Sequence, residues 1–284
     1  MSMSRILVFG NGWIGNKFIE RYPEARLSTV MIEKPQDMTE VLELEEPDEV
    51  LNCAGLTGTP NVDWCETHQL ETAMANTWLP ILMANECAKL GIHFTHLSSG
   101  CQFYGDAPHA DGWHEDDYAN PVAYYSKTKA AADIILGTLH NVAVVRLRLP
   151  LDSEPSLKNT ITKLAGYSKV LDVVNSVTVM DDLLEVFYQV IQKRATGIFH
   201  AVNPQPLAYR DLLRWYEEIV DPNHKNEWIT EEQMLADGLT AKKRSTNILA
   251  NRHLFETGIF MRPTEEAVKD TLRKYAKKIK ESKN

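Results

Sequence analysis

Basic residues are in deficit in this 284-residue chain: 30 Lys and Arg stand against 39 Asp and Glu, for a net charge of −9. A nucleic-acid surface needs a positive footprint, and this balance excludes one over the chain as a whole. Any anionic ligand must be met by a local positive cluster. Long apolar runs are also missing, and none approaches the roughly 20 residues that span a bilayer. The start, Met-Ser-Met-Ser-Arg, runs straight into Ile6-Leu7-Val8-Phe9, too short for the core of a signal peptide. Cysteine is scarce. The four present (Cys53, Cys65, Cys87, Cys101) form no CxxC pair and no metal-ligand spacing, so no metal is expected. Reduced thiols in a cytoplasmic setting are the expectation, with at least one thiol free for chemistry.

What remains is an ordinary globular composition, 44% apolar and 24% charged, in a chain long enough to bury a large core. Arg5 to Phe9 is nearly all apolar, as a parallel strand covered on both faces should be. Further strands are expected over Arg26 to Met31, Glu49 to Cys53, His93 to Leu97 and Val142 to Leu147. Helical spacing occupies Trp13 to Arg21, Met38 to Glu45, Glu71 to Leu90 and Ser126 to Leu139. This alternation with short connections predicts a doubly wound parallel α/β sheet of Rossmann type over residues 1–150. After Pro150 the pattern loosens. Residues 170–202 are expected to rejoin the sheet, while 151–169 and 203–284 form a smaller, mostly helical lobe for substrate. Its clearest helices are Leu207 to Val220 and Thr264 to Lys280.

Two motifs carry chemistry. Gly10-Asn11-Gly12-Trp13-Ile14-Gly15 follows a strand and opens a helix, which lifts a GxGxxG pattern above chance. Gly10 permits the tight turn, Gly12 lets a pyrophosphate approach the backbone, and Gly15 allows close helix–sheet packing. The helix N-terminus offers free N–H groups to the phosphates. Cys53, Ala54 and Gly55, and Leu149 with Pro150, are assigned to the same cofactor, NADP (NADPH) or NAD (NADH). Glu33 suits a ribose hydroxyl, and Lys34 or Arg26 a 2′-phosphate; NADP is slightly preferred, without excluding dual use. The second motif is Tyr125-Ser126-Lys127-Thr128-Lys129. Positions four apart share a helix face, so Lys129 lies under the Tyr125 hydroxyl and tunes it as an acid toward a developing alkoxide. Ser99, at the end of the preceding strand, supplies a second hydroxyl for a substrate carbonyl.

Together with Asn52-Cys53-Ala54-Gly55, these residues resemble an extended short-chain dehydrogenase/reductase acting on nucleotide sugars. Several segments are similar to the bifunctional 3,5-epimerase/4-reductases of nucleotide-rhamnose synthesis. They are the run Ala54 to Glu66 with its Pro60-Asn61-Val62-Asp63-Trp64-Cys65-Glu66, Gly100-Cys101-Gln102-Phe103, Tyr125 to Lys129, Asn159 to Lys163, Asn175 to Val179 and Thr196 to Pro204. The likeness covers nearly the whole chain. Two positions depart from the family, which usually has Thr where Ser99 stands and Ile where Gln102 stands; the second change could alter how the sugar sits.

The resemblance implies that Cys101 and Lys163 perform the epimerisation. The chemistry is coherent: a 4-keto sugar has acidic C–H bonds at C3 and C5, and inversion needs a base on one face and an acid on the other. A thiol, with a reference pKa of about 8.5, suits that work when a cation stands beside it. Thr57, Cys101, Gln102, Lys163 and Arg244 are the expected substrate contacts, Arg244 as a clamp on the nucleotide diphosphate. His114-Glu115-Asp116-Asp117 reads as an acidic loop. The expected activity is NAD(P)H-dependent conversion of a UDP- or dTDP-linked 4-keto-6-deoxyglucose to the L-rhamnose sugar by a homodimer, with no nucleic-acid or membrane partner. A reductase with an inert Cys101 and a non-catalytic dinucleotide-binding subunit are the other readings, though the intact Ser99, Tyr125 and Lys129 argue against the last.

Overall fold

The computed structural model describes residues 5–59, 61–240 and 245–282. Its centre is a parallel sheet of β1 (Ile6–Phe9), β2 (Arg26–Ser28), β3 (Glu49–Asn52), β4 (His93–Ser99), β5 (Val142–Leu147) and, much later, β10 (Gly197–Ala201). The spatial order is β2-β1-β3-β4-β5-β10. The order reverses between β1 and β3, the crevice in which doubly wound sheets bind their ligands. The all-apolar strands are explained by their two faces. Ile6, Val8 and Leu51 point into a core with Phe18 of α1 (Trp13–Arg21) and with α7 (Met180–Lys193). Leu7, Phe9 and Val50 point into the opposite core with α2 (Pro35–Glu45), α4 (Leu79–Lys89) and α5 (Tyr124–Leu136).

Three departures from the sequence reading have physical causes. The second strand stops at Ser28 because β2 is the sheet's edge, and Val30 and Met31 beyond it are exposed. The helix expected over Glu71 to Leu90 runs from α3 (Gln69–Ala73) to α4 through a π-helical turn, Met74–Trp78. Pro80 has no N–H to give the Asn76 carbonyl four residues back, which loosens the ladder there. The return to the large sheet also starts later than residue 170. Here β7 (Lys169–Leu171) and β8 (Val174–Asn175) pair with β12 (Glu227–Ile229) and β11 (Leu207–Ala208).

The remaining segments gather at the C-terminal ends of the sheet strands. β6 (Pro150–Leu151) pairs with β9 (Thr178–Val179) just after β5. α6 (Thr160–Gly166), α8 (Tyr209–Ile219) and α11 (Thr264–Ser282) close a third core around Leu151, Ile161, Leu212, Trp215 and Leu272. Short helices α9 (Glu231–Ala236) and α10 (Arg252–Glu256) complete the described chain. No helix among the described residues is long and apolar enough to cross a membrane.

Candidate active site

Each glycine of the β1–α1 turn does a different job. Gly10 has φ 100°, and a Cβ there would strike the backbone of Cys53 and Ala54, so β1 and β3 meet edge to edge at the crevice. A Cβ on Gly15 would strike the Gly10 carbonyl oxygen. Gly12, the N-cap of α1, is extended (φ −111°), and a Cβ there would meet nothing within 4 Å. The first turn of α1 holds no acidic residue, and Trp13 and Ile14 turn their side chains onto the core. What faces the crevice is a bare helix N-terminus with open space over Gly12, the cradle a dinucleotide pyrophosphate needs. The Asn11 side chain accepts from Asn16 Nδ2 at 3.0 Å and steadies the turn.

Opposite the turn, the Ala54 N–H donates to Asn52 Oδ1 at 2.9 Å and the Leu56 N–H to Asn76 Oδ1 at 2.8 Å, which shapes the loop through Gly55. Lys17 of α1 reaches Asp152 and Glu154 at 3.1 and 3.0 Å, tying the glycine turn to the loop after β6. Between them Leu149 stands at φ 43°, a left-handed conformation that is uncommon without a structural reason. It lies where the chain leaves β5 and enters Pro150. Of the two candidate cations for a 2′-phosphate, Arg26 pairs with Glu45 at 3.0 Å and Lys34 lies 3.8 Å from Asp37.

Ser99, the last residue of β4, pairs in register with Leu147 of β5. Its Oγ accepts from the Cys101 N–H at 3.2 Å, and its hydroxyl lies near enough to Tyr125 to act on that group's pKa. Burial pushes the Tyr125 hydroxyl well above its ordinary value and the neighbouring Cys101 adds to this, while the Ser99 hydroxyl pulls it down. Lys129 is buried one turn on, donating to the Leu97 carbonyl at 2.8 Å. Burial lowers its pKa to about 8, against the pull of Asp133 and Cys53. The helix bearing both residues is held at its start by Glu66, whose carboxylate accepts the Tyr124 N–H at 2.8 Å. The Asn61 to Glu66 run therefore positions the helix that bears Tyr125 and Lys129.

A buried chain of donors stands behind Lys129. Asn52 uses its Oδ1 on Ala54, so its NH2 group faces His96 Nδ1 at 3.1 Å. That nitrogen must accept, which leaves the ring hydrogen on Nε2, 3.3 Å from Lys129 Nζ. His96 is held neutral, its pKa pushed far down by burial and by Lys129.

Cys101 lies two residues past Ser99 and is half-buried. Its Sγ accepts from Arg148 Nη1 at 2.7 Å. Tyr104, Tyr125 and Tyr209 stand nearby. Lys163 is half-buried on α6, a helix capped by Asn159 Oδ1 through the Ile161 N–H at 3.0 Å. Thr57 is exposed on the loop after β3.

A protein-family model described as the RmlD substrate binding domain matches residues 4–277. The chain belongs to this family. A bifunctional dTDP-4-dehydrorhamnose 3,5-epimerase/dTDP-4-dehydrorhamnose reductase of Arabidopsis thaliana is 34% identical over 78% of this chain and 77% of its own length. A trifunctional UDP-glucose 4,6-dehydratase/UDP-4-keto-6-deoxy-D-glucose 3,5-epimerase/UDP-4-keto-L-rhamnose-reductase of the same plant is 31% identical over 96% of this chain, which spans only 41% of that protein. Among solved structures, a UDP-rhamnose synthase of Acanthamoeba polyphaga mimivirus superposes with TM-score 0.90 at 25% identity, over 96% of this chain and all of that one (100%). The fold is shared with a Bacillus anthracis dTDP-4-dehydrorhamnose reductase in complex with NADP (TM-score 0.80, 19% identity, 97% and 98% of the two chains).

Within this RmlD-family site, the structure corrects one expectation and adds residues that the sequence reading missed. Gln102, expected at the sugar, is fully buried. Its Nε2 donates to Asp133 at 2.5 Å and to Ser98 at 3.3 Å, in a network closed by Arg146. A side chain with two internal acceptors packs there as part of the interior. Arg244 lies outside the described residues. Arg148 and His96 were missed. The available signal was a titratable side chain beside or inside a buried strand, which has to be paid for by buried partners. Glu115, read as part of an acidic loop, is buried and accepts the His200 and His253 N–H groups at 3.3 and 3.2 Å.

Proposed function

We propose that this chain converts a nucleotide-linked 4-keto-6-deoxyglucose into the corresponding L-rhamnose sugar with NAD(P)H, epimerising C3 and C5 and then reducing C4. The observation that carries this reading is the grouping of Cys101 with Ser99 and Tyr125 at the end of β4. A reductase needs the hydroxyl pair; a thiol among them suits the epimerisation. The plant relatives, whose names include these activities, and the viral UDP-rhamnose synthase support the same reading, and a UDP-linked sugar is the preferred substrate.

In this reading the Ser99 and Tyr125 hydroxyls hold the C4 oxygen and steady the enolate formed when C5 or C3 loses a proton. Cys101 and Lys163 exchange protons at those carbons from opposite faces. When bound, NAD(P)H supplies the hydride to C4. Tyr125 then protonates the C4 oxygen and Lys129 restores the tyrosine proton. Gly10 to Gly15, Cys53 to Gly55, Leu149 and Pro150 line the cofactor crevice; Thr57 contacts the nucleotide sugar. The enzyme acts as a cytoplasmic homodimer. The four free cysteines fit a reducing compartment, and Leu70, Met74 and Trp78 leave an apolar stripe exposed along the α3–α4 helix.

Turnover of the 4-keto substrate with NADPH in D2O tests the assignment. Deuterium at C3 and C5 of a reduced product is expected, and Cys101→Ser should abolish it. Reduction of pre-epimerised substrate alone would make the chain a 4-reductase with an inert Cys101. No turnover of either substrate would overturn the reading.

A further inference from the structure

Arg148 is only 2% exposed. Among the described residues no carboxylate lies within ion-pair distance of it. Its acceptors are Asn175 Oδ1 at 2.8 Å, the Ser245 carbonyl, and Cys101 Sγ at 2.7 Å. Its Nε has no partner. A buried cation left without a counter-charge is strongly disfavoured, and only one of these three acceptors can become an anion. The other ionisable groups facing Cys101 are Tyr104, Tyr125 and Tyr209, each pushed up chiefly by burial and so kept neutral.

We infer that Arg148 holds Cys101 as the thiolate, positioned to act as the base in the proton exchange proposed above. This rests on the reading of Cys101 as the epimerising group. Sγ takes the C5 proton, forming an S–H bond. The electron pair of the broken C–H bond moves into the enolate, whose oxygen Ser99 and Tyr125 hold. The Lys163 ammonium then gives a proton to the opposite face of C5, and its broken N–H bond leaves a neutral amine. The thiol and the amine reset by exchange with solvent water, and the same cycle runs at C3. The fork of Arg148 fixes the position of Sγ as well as its charge, so it is a positioning residue for the base.

Iodoacetamide alkylation of Cys101, followed by peptide mass spectrometry on the full chain, reads the thiolate without any substrate. In the parent the rate should be nearly flat from about pH 6 to about pH 8, because the reactive form is already present. In Arg148→Gln the rate at about pH 7 should fall at least about tenfold and then climb roughly tenfold per pH unit, as an unassisted thiol does. Arg148→Lys, which keeps the charge but loses the fork, should recover part of the rate, and deuterium wash-in at C5 should follow the same order. An Arg148→Gln profile identical to the parent would overturn the inference. If Arg148→Gln does not fold, the parent profile decides alone, since a rate climbing roughly tenfold per unit would equally overturn it. Survival of deuterium wash-in in Cys101→Ser would instead remove the epimerase reading while leaving the alkylation result intact.

Discussion

Adding one methyl group at Gly12 should separate cofactor binding from folding. Its φ of −111° and ψ of −171° suit alanine, and a Cβ meets no atom within 4 Å. Replacing glycine at a compatible position gains about 0.4–1 kcal/mol through the unfolded chain. Alanine is a poorer N-cap than glycine by a similar amount, roughly 0.5–1 kcal/mol. The two nearly cancel, and the melting temperature of the free protein should move by no more than about 2 K, using the usual unfolding entropy per residue. Binding should respond very differently. The methyl stands where the pyrophosphate approaches the N-terminus of α1, and displacing the anion weakens charge-assisted bonds of about 1.5–3 kcal/mol each. Loss of one predicts a rise in Kd for NADPH of roughly 10- to 150-fold. Thermal melting of the free protein and titration calorimetry with NADPH measure the two halves. Gly15→Ala is the contrasting variant: its Cβ strikes the Gly10 carbonyl, so it should lower the melting temperature even without cofactor. A Gly12→Ala Kd within about threefold of the parent, a change of under 1 kcal/mol, would refute the placement of the pyrophosphate.

Three further outcomes are expected. Asp133, fully buried, accepts from Ser98 Oγ at 2.6 Å, Gln102 Nε2 at 2.5 Å and Arg146 Nε at 2.7 Å. Asp133→Ala should cost about 3–5 kcal/mol by stranding the guanidinium, and Asp133→Leu with Arg146→Met should recover much of it in urea melts; a loss under about 1 kcal/mol counts against this account. Lys129 gives up its proton near about 8 when folded but near ~10.4 when unfolded. Between those values the unfolded chain binds more protons, so stability rises with pH across the window and is lost as pH falls toward 8. Lys129→Met should flatten that rise while slowing reduction by about 10²–10⁴-fold, and an unchanged pH–stability slope would show that the lysine is not the titrating group. Glu66→Ala removes the carboxylate from the first turn of α5 and should cost about 1 kcal/mol, with kcat for reduction falling more than the Kd for NADPH rises.

The sequence by itself determined the sheet, the turn and the order of the chemistry. Apolar runs such as Ile6 to Phe9 report burial on both faces, and a strand–glycine–helix junction is a local event that needs no distant partner. Tyr125 and Lys129 were legible for the same reason, because four residues on a helix fix a shared face. Only the tertiary structure decided what surrounds them. Parallel pairing of β4 with β5 sets Ser99 against Leu147, and so brings Arg148 to Cys101, 47 positions away in the chain. The pairing of β3 with β4 sets Asn52 beside His96, completing the buried chain behind Lys129. Gln102 shows the converse, since its polar side chain looked like a sugar contact until Asp133 and Ser98 claimed it. Periodicity records whether a residue is buried, while strand register decides which buried groups meet.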